Sequence, residues 1–170
     1  MAADIFEYLR QSPPRCLSAF GAALKDEIVQ RHMRSAAFEV SCGNCKGATF
    51  SLGILTRDWK EGVVPSEIGV AALCSSCGRR ETLFDGTKFG YDGEHGHLAF
   101  IKGEDIETPL DHGQAVRVRV EFVYNNEMGD LLKDASTLNK SPQDFFDWFH
   151  VLVGGPGPEG WTSVWEFECA

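Results

Sequence analysis

Two short stretches carry the residues best suited to chemistry: EVSCGNCKG (39–47) and LCSSCGRR (73–80). Each contains a Cys-x-x-Cys, formed by Cys42 with Cys45 and by Cys74 with Cys77, and 28 residues lie between Cys45 and Cys74. Four thiols in two matched pairs can bind a metal, form disulfides, do redox work, or be buried without a task. Zinc takes four tetrahedral ligands, and thiolates at a Zn–S distance of ~2.3 Å are a common structural set. A two-residue gap lets one tight turn aim two sulfurs at one ion. A second such turn at the end of an adjacent hairpin completes the tetrahedron. Gly78, directly after Cys77, and Gly47, two after Cys45, are placed to let these turns take a positive φ.

The other uses fit less well. The first residues, MAADIFEYLRQSPP, are acidic where a secretion signal would be basic and then apolar. The expected compartment is therefore the cytoplasm, where thiols stay reduced. A redox pair of the thioredoxin kind opens a helix that follows a strand, whereas both pairs here lie between strand-like segments. The spacing favours one zinc ion per chain, held by Cys42, Cys45, Cys74 and Cys77. A catalytic zinc keeps a position open for water. Four thiolates fill the sphere and weaken the ion as a Lewis acid, so the expected role is structural. Cys16 and Cys169 stand apart from the pairs and read as core or surface thiols.

These four positions resemble the zinc-ribbon family, whose hallmark is two Cys-x-x-Cys-Gly-like knuckles on two β-hairpins. Cys42, Cys45, Cys74 and Cys77 match that pattern position by position, over about residues 36–84. Lys46 stands where the first knuckle of the family has glycine. The resemblance implies a local ribbon fold and a four-cysteine zinc site. It implies no activity, because zinc ribbons occur in transcription factors, ribosomal proteins and enzymes alike.

A second constellation lies in YDGEHGH, where Asp92 and Glu94 stand beside His95 and His97. A His-x-His next to carboxylates suits an acid–base pair or a second metal site. An enzyme with its site in the 85–112 loop, using Asp92, His95 and His97, is the alternative reading. The plainer reading is a polar surface loop. His32, His112 and His150 are scattered, and the chain has no nucleophile elbow, P-loop or dinucleotide fingerprint. GGPGPEG (154–160) reads as a connector, since its prolines remove the amides that a phosphate cradle needs.

The elements that must position the cysteines follow from periodicity. Residues 3–10 read as a short helix with Ile5, Phe6 and Leu9 on one side. Leu17, Phe20, Leu24 and Ile28 have helical spacing, which predicts a helix over about 14–32. From residue 36 the period becomes two. Phe38, Val40 and Cys42 alternate with polar residues, as do Phe50, Leu52 and Ile54. Asp58 to Pro65 reads as a loop. Ile68, Val70 and Ala72 lead into the second pair, and residues 81–84 lead out. The glycine-rich acidic stretch after Phe84 reads as a surface loop, with a short strand at Leu98–Ile101.

Val116, Val118, Val120, Phe122 and Tyr124 give the strongest strand pattern. Ser141-Pro142-Gln143-Asp144 looks like a helix start, with Phe145, Trp148, Phe149 and Leu152 along one face. That face leaves Phe146 or Trp148 as a candidate exposed binding anchor. Residues 161–168 close the chain as a strand, with Trp161, Trp165 and Phe167 on one side. The expected fold is α+β: an antiparallel sheet with zinc-ribbon-like hairpins, N-terminal helices and one helix near the C-terminus. A length of 170 residues fits a single domain over 1–170, with a ribbon-like subdomain at about 36–84.

The formal net charge is -9, and zinc with four thiolates would take it to about -11. Nucleic acid is not the expected partner, because Arg79–Arg80 and the alternating Arg117 and Arg119 make no large basic patch. An anionic membrane is excluded on the same ground. No apolar run reaches the ~20 residues of a membrane span. The partner that suits the charge is another protein, of basic character.

Overall fold

Residues 4–59, 63–89, 105–110, 113–125, 127–154 and 160–169 are described by the structure, a computed structural model. The first element is the expected helix, α1 (Ile5–Gln11), which buries Ile5, Phe6 and Leu9. Ser12 leaves the helical conformation and becomes its C-cap, and Pro13 and Pro14 follow it. A 3-10 turn at Arg15–Leu17 then buries Cys16 and Leu17.

Most of the remaining described chain is strand. Nine strands make one antiparallel sheet among the described residues: β1 (Phe20–Gln30), β2 (Met33–Cys42), β3 (Thr49–Trp59), β4 (Val63–Cys74), β5 (Arg80–Asp85), β6 (Ile106–Pro109), β7 (Val116–Tyr124), β8 (Trp148–Gly154) and β9 (Trp161–Glu168). Among the described residues two more helices interrupt them, α2 (Gly86–Phe89) and α3 (Met128–Leu138). The α+β expectation is therefore corrected. This is a mainly antiparallel β protein bent into a half-barrel, with few and short helices.

Strand β7 organises the sheet. It pairs with β8 along one edge, from Arg117–Gly154 to Val123–Trp148. Its other edge takes β2 first, from Arg34–Tyr124 to Glu39–Arg119, and then the start of β3, with Thr49 opposite Arg117 and Phe50 opposite Val116. The six residues between Cys42 and Thr49 thus leave the sheet and return to it on the same side of β7. Beyond that point β3 carries β4 on one edge and β6 on the other, and β5 closes the far side of β4.

The bend brings the two halves face to face. Val118, Val120, Phe122 and Tyr124 of β7, Phe149 and Val151 of β8, and Trp165 of β9 point inward, together with Ala36, Phe38 and Val40 of β2. From the other half come Phe50, Leu52 and Ile54 of β3, Val70 and Ala72 of β4, and Leu83 and Phe84 of β5. Phe84 stacks on Phe149 at 4.3 Å between ring centroids and touches Trp165 and Phe167. Rings packed at these separations add stability beyond the area they bury. Residues from Ile5 to Cys169 share this one cluster.

Two expected helices are strands, for physical reasons. Positions 20, 24 and 28 are spaced by four, which satisfies both a helical repeat and the two-residue repeat of a strand. In β1 Phe20, Ala22 and Leu24 pack against the core, and a bulge between Leu24 and Asp26 reverses the facing. Ile28 then emerges 40% exposed instead of buried. Near the C-terminus, the Ser-Pro start makes only a 3-10 turn, Pro142–Asp144. Strand β8 follows, with Phe149 and Val151 inward and Trp148, His150 and Leu152 outward. Apolar residues on both faces of a strand mimic a broad helical stripe.

Phe146 is not an exposed anchor. It is 3% exposed and packs on Phe122 at 4.8 Å, and Trp148 is half-buried. Trp161 does not share a face with Trp165 and Phe167. An irregularity between Val151 and Leu152 in the β8–β9 pairing changes the side, and Trp161 lies on the outer face over the Arg117 and Arg119 guanidiniums. The expected loop at Asp58–Pro65 is narrower, because β3 continues to Trp59 and β4 begins at Val63. Leu98–Ile101 lies outside the described residues. Among the described residues, no helix is long and apolar enough to cross a membrane.

Candidate metal centre

Strand alternation places the first cysteine of each pair. Ala36, Phe38, Val40 and Cys42 face inward along β2, and Val70, Ala72 and Cys74 do so along β4. Cys42 and Cys74 are the last residues of their strands. Hairpin β3–β4 sets the two ends side by side, with Phe50 directly opposite Cys74, and the Ser75 amide donates to the Thr49 carbonyl at 3.1 Å. Strand β3 emerges from the first cysteine turn and pairs beside the second. The register of one hairpin therefore aligns both turns.

The two turns are built alike. In the first, the Cys42 amide donates to the Gly47 carbonyl at 2.8 Å and the Lys46 amide donates to the Cys42 carbonyl at 3.0 Å. In the second, the Cys74 amide donates to the Arg79 carbonyl at 2.9 Å and the Gly78 amide to the Cys74 carbonyl at 2.9 Å. The closing residue is left-handed in both, with φ of 64° at Lys46 and 70° at Gly78. Lys46 thus holds the conformation that glycine holds in the other turn, at a cost of roughly 1–2 kcal/mol. Gly47 does not supply a positive φ, as its spacing suggested. Its role is clearance: a Cβ there would sit 2.7 Å from Ser76 Oγ and 3.2 Å from Cys45 Sγ.

All four sulfurs lie within 4.8 Å of one another. Cys42 Sγ is 3.7 Å from Cys77 Sγ, and Cys45 Sγ is 3.5 Å from Cys74 Sγ. A tetrahedron of thiolates at a Zn–S distance of ~2.3 Å has an edge of ~3.8 Å. The cluster therefore already has close to the dimensions that a metal ion needs. It is too open for disulfides, whose sulfurs sit ~2.05 Å apart, and all four thiols are free. Cys42 and Cys74 are buried, whereas Cys45 and Cys77 are exposed. The four-cysteine cluster can hold a metal ion.

No family model, curated protein or solved structure matches this chain. The metal reading stands on the sulfurs themselves.

The electrostatics of the cluster are those of an array sharing protons. The Cys45 amide holds the Cys42 thiol down to about 6, against burial, with help from the Asn44 amide and the sulfurs of Cys77 and Cys74. The Gly47 amide draws the Cys45 thiol down, but the sulfurs of Cys77 and Cys74, with burial, push it up to about 12. Burial raises the Cys74 thiol, yet the amides of Cys77 and Ser76 and the neighbouring sulfurs outweigh it and the net shift is downward. Thiolate at one sulfur is thus stabilised by protons on another. A dication replaces those protons and serves all four at once. The Gly47 amide donates to Cys45 Sγ at 3.4 Å and Asn44 Nδ2 to Cys77 Sγ at 3.8 Å. Such outer contacts orient ligands; Gly47 drew notice in the sequence only for its backbone freedom, and Asn44 is marked by no pattern there.

The remaining candidates fall elsewhere. Asp92, Glu94, His95, His97 and His112 lie outside the described residues. His32 is exposed in the turn between β1 and β2. His150, on β8, has Nδ1 3.6 Å from Glu121 Oε2. Cys16 and Cys169 are both buried, and burial pushes the Cys16 thiol well up. On the outer face Arg117 pairs with Glu39, and Arg119 donates to Asp26 at 2.8 Å.

Proposed function

We propose that Cys42, Cys45, Cys74 and Cys77 bind one structural zinc ion per chain, and that the protein acts by binding another protein, basic in character. Convergence of four sulfurs within 4.8 Å of one another carries the metal half of this reading. A soft, all-thiolate donor set favours zinc among common divalent ions. Four thiolates leave no position for a substrate, which is why the ion clamps and does not catalyse. The clamp ties the β2–β3 turn to the β4–β5 turn, where the chain leaves the sheet and the apolar interior gives little support.

The partner half is supported by charge. At -9 the chain attracts cations over long range, and the arginines of the outer face are occupied by carboxylates. The metal is tested by elemental analysis of the purified chain, with an expected content of one zinc per chain. The partner is tested by capture from native lysate at low salt, with release as salt rises. A bound protein of basic character supports the reading, and capture of nothing above background refutes it.

A further inference from the structure

Exposure divides the four cysteines into two kinds. Each turn has one buried cysteine at a strand end, Cys42 or Cys74, and one exposed cysteine, Cys45 or Cys77. The sulfur of each exposed cysteine lies beside that of the buried cysteine in the other turn: Cys45 with Cys74 at 3.5 Å, and Cys77 with Cys42 at 3.7 Å. An attacking thiolate and a resolving thiol are thus already in contact, twice, across the gap between the turns. Accessible thiolates are the oxidation-prone ones.

We infer that Cys45 and Cys77 are hydroperoxide-reactive, and that their oxidation replaces the metal clamp with two disulfides, Cys45–Cys74 and Cys42–Cys77, that still tie the two turns together. The inference rests on the metal reading above for its starting state. In the zinc-loaded starting state Cys45 would be held as a thiolate, its proton already released to solvent, and this sulfur attacks one oxygen of the peroxide. The O–O bond breaks, hydroxide leaves and is protonated to water, and Cys45 becomes a sulfenic acid. The Cys74 thiolate then attacks that sulfur. The S–O bond breaks, a second hydroxide leaves and is protonated, and the S–S bond forms. The two sulfurs give up two electrons, and the peroxide takes them with two protons. Cys77 and Cys42 repeat the sequence with a second peroxide. Sulfurs joined in disulfides are lost as thiolate ligands, so the ion departs. Each pair closes from about 3.5 Å to ~2.05 Å, a movement of order 1.5 Å.

The test treats the zinc-loaded full chain with hydrogen peroxide. Zinc release is followed with a colorimetric chelator, sulfenic acid is trapped with dimedone at limiting peroxide, and disulfides are mapped by non-reducing peptide mass spectrometry. The expected result is release of the ion by about two peroxides, dimedone on Cys45 and Cys77, and the links Cys45–Cys74 and Cys42–Cys77. Links within a turn, Cys42–Cys45 or Cys74–Cys77, would overturn the inference. So would dimedone on Cys42 and Cys74, or zinc retained under excess peroxide. The same map on chain stripped with a chelator separates the two readings. If zinc never rebinds but the links between turns form, the metal reading fails and the pairing stands.

Discussion

The interior of the half-barrel and its sulfur end are held by different forces. Inside, Phe84, Phe122, Phe146, Phe149 and Trp165 meet ring to ring, contributed by β5, β7, the chain before β8, β8 and β9. None of these five rings comes from the cysteine turns. At the other end, two turns leave the sheet, expose Asn44, Cys45, Lys46, Ser75, Ser76 and Cys77, and bury little but Cys42 and Cys74 at their strand ends. The lesson is a division of labour. Apolar burial fixes the sheet, the sheet register aligns the turns, and the turns need a further tie because they have no core of their own.

Removing the tie is the sharpest probe of that division. Structural zinc contributes on the order of 10 kcal/mol gross, much of it offset by ordering the ligand loops. Chelation is therefore expected to abolish amide protection over 42–47 and 74–79 while protection persists over 118–124 and 149–151. Hydrogen exchange reads both regions at once. Loss of protection everywhere would show that the interior cannot stand without the ion.

The converse change is Phe149→Ala. The ring is fully buried and touches Phe84, Phe122, Phe146 and Trp165, so its loss should cost about 3–5 kcal/mol in denaturant unfolding. Zinc affinity of the folded fraction should stay close to that of the unmodified chain.

A third change acts between the two regimes. Gly47→Ala would drive a methyl group into Ser76 and the Cys45 sulfur, spreading the turns and displacing one ligand without removing any. Zinc affinity, read by competition with a chromophoric chelator, is expected to fall about 10- to 100-fold, the range for disturbed outer contacts. Global stability without metal should be unchanged.

Much of this was legible in the sequence. The paired cysteines announced their own convergence, because a two-residue gap is a local constraint that survives any tertiary context. Helix α1 and strands β2 and β7 were legible because polar residues break their apolar ones into a clear period. The misread segments are those where the period is degenerate. Phe20, Leu24 and Ile28 satisfy two repeats at once, and the bulge that sends Ile28 outward leaves no residue signature. Strand β8 is apolar on both faces, with Trp148 and Leu152 opposite Phe149 and Val151. Helix α3 buries only Leu131 and Ala135, too little to stand out. The role of Gly47 was hidden because its constraint comes from Ser76 in the other turn, a contact that only the fold creates.

The smallest effect expected distinguishes the turns from each other. Their hydrogen bonds match, but Lys46 takes a left-handed conformation that Gly78 takes without penalty. Lys46→Gly should stabilise the metal-bound protein by about 1 kcal/mol in thermal or denaturant unfolding. No change, or a loss, would mean that the lysine side chain, whose Nζ reaches the Gly43 carbonyl at 3.4 Å, repays its strain.

The claim on which the rest depends is that sulfurs 42, 45, 74 and 77 together fill the coordination sphere of one ion. X-ray absorption at the zinc edge of the metal-loaded chain tests it directly. The account predicts four sulfur neighbours at ~2.3 Å and no lighter ligand. Three sulfurs with an oxygen or nitrogen, or a chain that takes up no zinc at all, would contradict it.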